Sequence, residues 1–236
     1  MEKKKLSVIT PFFNEEDEIL NLLKNFERFE KKNNVVKEYI LINDSSTDSS
    51  LSIINNYIYK KKIKKKIKIY NNKQNIGWCK SVLKGYKISK AENIIFIPGD
   101  GEIKLTNCYK NIKLENKEII LIQRKTMCDR PYARIIISYL YRYIISKIFK
   151  IKLLDYNSVI ILKRNLLKKL NIKSNSFFIS AEILIKAIYL KIKIDDTKKL
   201  ILFKKNNYKS TSLSFKSVVA VTKDFLKTLY FIYYKL

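Results

Sequence analysis

The chain has no histidine, only three cysteines (Cys79, Cys108, Cys128) and no C-x-x-C pair. Neither a zinc site nor a disulfide framework is therefore indicated, and a reduced cytoplasmic setting is expected. Acidic residues are scarce, with 21 Asp and Glu against 49 Lys and Arg and a net charge of +28. Such a surplus ordinarily points to nucleic acid or to an anionic membrane surface. Here lysine is crowded together with isoleucine, asparagine and tyrosine along the whole chain, which reads as a compositional bias, as from an A/T-rich genome. The run at 60–68 (K-K-K-I-K-K-K-I-K) is then a solvated edge. No nucleic-acid motif accompanies it, so no specific nucleic-acid partner is expected.

Long apolar runs are also missing, and no stretch reaches the roughly 18–20 residues that a spanning helix needs. The start, M-E-K-K-K-L-S-V-I-T-P-F-F-N-E-E, turns acidic too soon for a signal peptide. Two segments come partway. Ile135–Phe149 is apolar nearly all round, and Phe225–Tyr234 is rich in aromatics. Tyrosine and lysine among isoleucine and leucine suit a membrane interface, and equally suit helices packed in a core.

What the chain does have is three short acidic motifs, each at the end of an expected strand. P-F-F-N-E-E (Pro11–Glu16) follows Leu6–Ile9, N-D-S-S-T-D (Asn43–Asp48) follows Tyr39–Ile42, and P-G-D-G-E (Pro98–Glu102) follows Ile94–Ile97. Taken singly, each also suits an ordinary turn or a helix N-cap. Strands are expected at 5–10, 38–43, 66–70, 93–97 and 118–123, and helices at 15–29, 47–59 and 78–89. That alternation is the signature of βαβ units and a mostly parallel sheet flanked by helices. Beyond residue 124, helices are expected at 134–149 and 177–190, with short strands near 156–161, 191–194 and 200–203. No linker or internal repeat interrupts the chain, so one domain over 1–236 is expected. Loops leaving the carboxyl ends of parallel strands share one crevice, where ligands bind. Carboxylates on three such loops in a basic protein suggest a site for a metal ion and a diphosphate. Asp100 and Glu102 supply two hard oxygen ligands from one tight loop, and Gly99 and Gly101 let the backbone approach closely.

The order of these motifs resembles the family-two glycosyltransferases with the GT-A fold, in particular the dolichol- or polyprenyl-phosphate sugar synthases. The resemblance covers roughly residues 5 to 210 and is most specific in the first third. It implies a Rossmann-like α/β sheet, with a nucleotide-sugar half over 1–125 and an acceptor half over 126–210; beyond the resemblance, 211–236 reads from its residue types as a C-terminal helix suited to a membrane interface or to a core. Pro11, Phe13 and Glu15 would line the base and ribose of the nucleotide, and Asp44 would meet the base edge. Asn75 and Gly77 match an N-x-G that shapes the neighbourhood of the nucleotide, and Gly85 a later small position. Asp100 and Glu102 would hold Mg²⁺ or Mn²⁺. Arg124, Arg134 and Ser138 match places that hold donor or acceptor phosphates, for which the planar Arg fork is suited.

Asp155 and Glu182 match acidic positions where a general base would stand if the acceptor were a hydroxyl; a phosphate acceptor needs none. The acceptor-side loop R-x-x-G-x-S is represented by Lys205, Tyr208 and Ser210. Pro98 replaces the first Asp of the family's D-x-D, Glu102 stands at its Gln, Asn43 at the first Asp of D-D-G-S-T-D, Ser45 at its Gly, and Val159 near another Gly.

The implied reaction is metal-dependent transfer of a sugar from a nucleoside diphosphate sugar to a polyprenyl phosphate, by single displacement with inversion. It would take place on the cytoplasmic face of the membrane, where the protein would be peripherally bound. Two other readings stay open: the same fold acting on a glycan hydroxyl in surface polysaccharide synthesis, and a non-catalytic nucleotide-binding relative, for which the substitutions speak.

Overall fold

A computed structural model describes residues 5–59, 61–109, 112, 114, 117–124, 132–151, 156, 158–200 and 214–234. In chain order these form β1 (Leu6–Phe12), α1 (Ile19–Lys32), β2 (Val36–Asn43), α2 (Ser50–Ile58), a 3-10 turn (Lys62–Lys66), β3 (Ile67–Asn71), α3 (Trp78–Ile88), β4 (Asn93–Phe96) and α4 (Leu105–Cys108). They continue with β5 (Ile119–Arg124), α5 (Tyr132–Phe149), β6 (Val159–Lys163), α6 (Leu166–Leu170), α7 (Ile179–Tyr189), β7 (Ile194–Leu200) and α8 (Phe215–Tyr234). The chain divides into two compact units, Met1–Asn116 with Ile161–Asn165 and Lys117–Ile160 with Leu166–Leu236. The expected α/β fold is present, and its strands pair mostly in parallel.

In the first unit the strands run in the order β3-β2-β1-β4, all parallel, and β6 adds antiparallel to β4 through Ile161–Lys163. β1 is buried along its whole length, and the β2 sequence is nearly continuous in apolar residues. Strands covered on both faces have this composition. Helix α1 buries Ile19, Leu22, Leu23, Phe26 and Phe29, the stripe of a helix packed on a sheet. Two lysines in its last turn complement the dipole. α1 begins at Ile19 and not at residue 15, after a turn in which the Glu18 and Ile19 N–H groups donate to the Glu15 carbonyl at 3.0 Å and 2.8 Å, while the N–H groups of 14–16 are bonded to the second loop. Helix α3 lies so close to β1 that a Cβ on Gly85 would come within 2.3 Å of Ile9 Cγ2. A buried polar contact pins the other end of the strands. Glu38 accepts hydrogen bonds from the Ser7 hydroxyl at 2.8 Å, the Lys90 N–H at 2.6 Å and the Lys68 ammonium at 2.6 Å.

In the second unit β5 pairs with β7 in parallel. β7 covers Ile194–Leu200, running on from the expected strand at 191–194; of the strand expected at 200–203, positions 201–203 lie outside the described residues. Helices α5, α7 and α8 enclose Ile145, Phe149, Tyr156, Phe178, Ala181, Ile185 and Ile232. Phe225 meets Phe149 and Phe178 edge-on, with centroids 5.4 Å and 5.9 Å away. Such aromatic contacts add to plain burial.

Candidate functional site

The register of the parallel ladder brings the acidic loops to one level. Phe12 stands opposite Asn43, and Asn43 opposite Asn71. The ladder continues past the strands: the Asp44 N–H donates to the Phe12 carbonyl, and the Ile97 N–H to the Ile9 carbonyl, both at 2.9 Å. The first and second loops are then stitched to each other. Asn14, at φ 53°, accepts the Thr47 N–H on Oδ1 at 2.8 Å, and its own N–H donates to Ser46 Oγ at 3.1 Å. The Glu15 N–H donates to Ser50 Oγ at 2.8 Å, and the Glu16 N–H to Asp48 Oδ2 at 3.0 Å. Glu16 returns the contact by accepting the Ser49 N–H at 3.0 Å. Burial works against the Asp48 carboxylate, but the hydrogen bonds from Ser50 and the Glu16 N–H hold its pKa below the ordinary value. Phe13, between these tied residues, leaves 43% of its surface exposed.

Asp44 is almost wholly buried, and its carboxylate organises the segment that follows β3. Oδ1 accepts the Asn72 amide at 2.8 Å and the Ile76 N–H at 3.0 Å, and Oδ2 accepts the Gly77 N–H at 2.9 Å. Asn75 Oδ1 accepts the same Gly77 N–H at 3.1 Å. Gly77, at φ 89°, is the cap from which α3 starts. Asp44, Asn75 and Gly77 are thus brought together.

The third loop is packed against the first. A Cβ on Gly99 would lie 2.8 Å from Phe12 Cβ and 3.1 Å from the Pro11 carbonyl oxygen. Gly101, at φ 73°, faces Glu18 closely enough that a Cβ there would meet Oε2 at 2.7 Å. The Glu102 N–H donates to Asp100 Oδ1 at 3.0 Å, which sets both carboxylate residues on one turn. Among the described residues, no group of three or more His, Cys, Asp or Glu gathers to hold a metal by itself. Two carboxylates on one turn nevertheless fit Mg²⁺ or Mn²⁺, because such ions are held by one or two carboxylates together with substrate phosphates and water.

The remaining sequence candidates belong to the second unit. Arg124 closes β5, and Arg134 and Ser138 lie one turn apart on α5. Asp155 and Lys205 lie outside the described residues. Glu182 is buried on α7, and its carboxylate is engaged. It accepts the Lys173 N–H at 2.9 Å, the Ser174 N–H at 2.8 Å and the Lys186 ammonium at 2.5 Å. Lys186 also donates to the Asn171 carbonyl at 2.8 Å and stands 4.3 Å from the centre of the Phe231 ring. These contacts give Glu182 the geometry of a clamp on the 171–174 turn; the sequence offers it as a general base only for a hydroxyl acceptor.

Sequence reasoning missed Asn72, and it gave Asn14 and Asp48 no role of their own within the motifs that contain them. Asn72 bridges Asp44 to Ser81 Oγ, at 2.9 Å, and accepts the Lys84 ammonium at 2.7 Å. Their signal was the density of Asn and Asp in the loops, which turn chemistry alone also produces.

Parallel strands with acidic loops at their carboxyl ends and helices packed on them define the GT-A class of fold. Solved structures share it. Glucosyl-3-phosphoglycerate synthase from Mycobacterium tuberculosis, in complex with Mn²⁺, UDP and phosphoglyceric acid, matches with a TM-score of 0.68 at 14% identity, over 97% of this chain and 78% of that one. A mannosyltransferase from Pyrobaculum calidifontis, in complex with GDP-Man and Mn²⁺, matches with a TM-score of 0.65 at 13% identity, over 94% of this chain and 64% of that one. At these identities the likeness is one of fold. The family model described as "Glycosyl transferase family 2" matches residues 7–170, and the chain belongs to that family.

Among curated relatives, the cholesterol galactosyltransferase of Borreliella burgdorferi is 34% identical over 124 residues, 51% of this chain and 33% of that protein. The dodecaprenyl-phosphate galacturonate synthase of Rhizobium johnstonii is 27% identical over 175 residues, 71% of this chain and 50% of that protein. The chain spans between a third and a half of the length of these relatives.

Proposed function

We propose that this protein transfers a sugar from a nucleoside diphosphate sugar to a polyprenyl phosphate at a membrane face, with the donor held in the first unit. The observation that carries the reading is the hydrogen-bonded union of the first two acidic loops with the Asp44-held segment, beside the Asp100–Glu102 turn. Family membership supports the reaction class. The lipid acceptor is supported by two relatives whose names each include a lipid, cholesterol and dodecaprenyl phosphate.

In this reading the half-exposed Phe13 ring offers a flat face to the base, and Glu15 accepts a ribose hydroxyl. Pro11 fixes the entry to that loop. Asp44 keeps Gly77 and Asn75 in place and lends its remaining lone pair to the base edge. Asp100 and Glu102 would hold Mg²⁺ or Mn²⁺, which when bound offsets charge growing on the diphosphate as the sugar leaves. Arg124, Arg134 and Ser138 would steady phosphates. An acceptor phosphate oxygen, already ionised at neutral pH, attacks the anomeric carbon while the bond to the diphosphate breaks, so the configuration inverts and no base is required. The engagement of Glu182 by Lys186 and two N–H groups accords with that. Asp155 would matter only for a hydroxyl acceptor.

The test is calorimetric titration of UDP- and GDP-sugars with and without Mn²⁺, in the wild type and in Asp100→Asn. Metal-dependent binding of one nucleotide class, lost in the variant, is expected. Binding indifferent to metal would instead identify a non-catalytic nucleotide-binding relative.

A further inference from the structure

Two helices of the second unit, besides the apolar side chains they bury, present a second apolar side to solvent. Along α5, Ile145 and Phe149 are the buried positions among the side chains described. The exposed positions include Ile136, Leu140, Tyr143, Ile144 and Ile148, from 38% to 53% accessible. At about 100° per residue these fall on one half of the helix. The polar residues Ser138, Arg142 and Ser146 lie on the other, partly covered half. The helix is therefore apolar on its outward half as well as at its buried positions. α8 repeats the pattern. Its covered side packs Val221, Phe225, Leu229 and Ile232 against the core of the unit, beside the buried Asp224 and Thr228, yet Leu226, Tyr230 and Tyr233 on the outer side are each more than half exposed. The Tyr233 hydroxyl donates to the Ile148 carbonyl at 3.0 Å, and both residues are exposed, so the two apolar strips adjoin there.

Charge on these helices has one sign. α5 contains no acidic residue. The single acid of α8, Asp224, is buried and accepts the Asn175 N–H at 2.7 Å and the Lys227 ammonium at 3.1 Å. Lys147, Lys216, Lys223 and Lys227 are exposed. A second copy of this surface would set lysines against lysines. A surface of apolar groups with tyrosines, edged by lysines whose stems can lie along it, is complementary to an anionic bilayer.

We infer that the outer faces of α5 and α8 form a docking surface for an anionic lipid bilayer, with both helices lying in the interface plane. No described helix is long and apolar enough to cross a membrane. The inference deepens the membrane-face part of the reading above by naming the surface that docks, and it does not depend on which donor or acceptor the protein takes.

The experiment is co-sedimentation of the full chain with phosphatidylcholine vesicles, with and without roughly one third phosphatidylglycerol, at about 0.15 M salt. It needs neither donor nor turnover, so its failure would remove the membrane face from the reading above but leave transfer of a sugar from a nucleotide donor standing. The wild type is expected to partition at least about ten-fold better to the anionic vesicles. The triple variant Leu140→Gln/Ile144→Gln/Leu226→Gln should lose at least about ten-fold of that partitioning with its circular dichroism unchanged, since all three side chains are exposed. Leu226→Gln alone should lose part of it, which guards against misfolding of the triple variant. Three results would overturn the inference: no sedimentation with either vesicle, undiminished sedimentation of the variants, or a dimer in light scattering that the triple variant dissolves.

Discussion

The Gly77 N–H donates to Asp44 Oδ2 at 2.9 Å, tying the end of β2 to the residue from which α3 starts. A buried carboxylate that accepts several N–H donors fixes its loop and is costly to disturb. Asp44→Asn presents one oxygen where two are used, and its amide must point at a donor. The variant is expected to lose about 1–3 kcal/mol in urea unfolding. Its affinity for a nucleotide sugar should fall as well, read by the same calorimetry.

Gly77 and Gly85 respond to alanine for different reasons. A Cβ on Gly77 meets nothing within 4 Å, but φ is 89°. At ψ 150° this is a conformation open essentially to glycine alone, so Gly77→Ala should cost about 1–3 kcal/mol of backbone strain whatever its neighbours are. Gly85→Ala forces a methyl against Ile9 Cγ2, and overpacking of this kind costs about 1–3 kcal/mol. The Gly85 effect should shrink when Ile9 is already alanine, and the Gly77 effect should not. Denaturation of the two double variants separates these cases.

Ser45 sits at φ 66° where the resembled family has glycine. Relief of left-handed strain, worth roughly 1–2 kcal/mol, outweighs the extra freedom glycine gains when unfolded, about 0.5–1 kcal/mol. Ser45→Gly is therefore expected to stabilise the protein by about 0.5–1 kcal/mol in urea unfolding. A loss of stability would show that the serine side chain holds the loop.

Glu38 predicts an acid limb. Burial alone would raise its pKa, but hydrogen bonds from Lys68, the Lys90 N–H and Ser7 bring it below the ordinary 4.5. The native state then binds fewer protons at this site than the unfolded chain does. Its contribution is complete above about pH 4.5 and is lost as pH falls through the lower native value. Stability measured from pH 7 to pH 3 should decline below about 4.5, and Glu38→Gln should be less stable at pH 7 but flatter over that range.

Glu182→Gln distinguishes a clamp from a base. Removing the charge leaves the Lys186 ammonium buried beside a neutral amide, and breaking such a pair costs about 3–5 kcal/mol. A melting temperature lowered by several degrees is expected. A variant that melts normally but has no turnover would identify Glu182 as a general base.

Much of the front half was legible in the sequence. Strands β1, β2 and β4 were marked by apolar runs, and the loops after them by Asn, Asp, Ser and Gly, because parallel strands covered on both faces have little freedom of composition. The start of α1 was misjudged because Glu15 and Glu16 look like a first helical turn. They lie in a turn tied to the second loop, their N–H groups bonded to Ser50 and Asp48, a partnership some 32 to 35 residues distant that no local pattern encodes.

The sequence by itself determined the α/β class, the order of the acidic loops and the glycines they need. Those depend on local propensity and on backbone conformations open to few residues. Only the tertiary structure decided which carboxylates are engaged. Asp44 and Glu182 each sit where N–H donors from another segment converge. It also decided which side of α5 is covered. A helix apolar nearly all round has no face marked for burial, so the choice fell to its neighbours, which took the side of Ser138, Arg142 and Ser146 and left Leu140 and Ile144 outward.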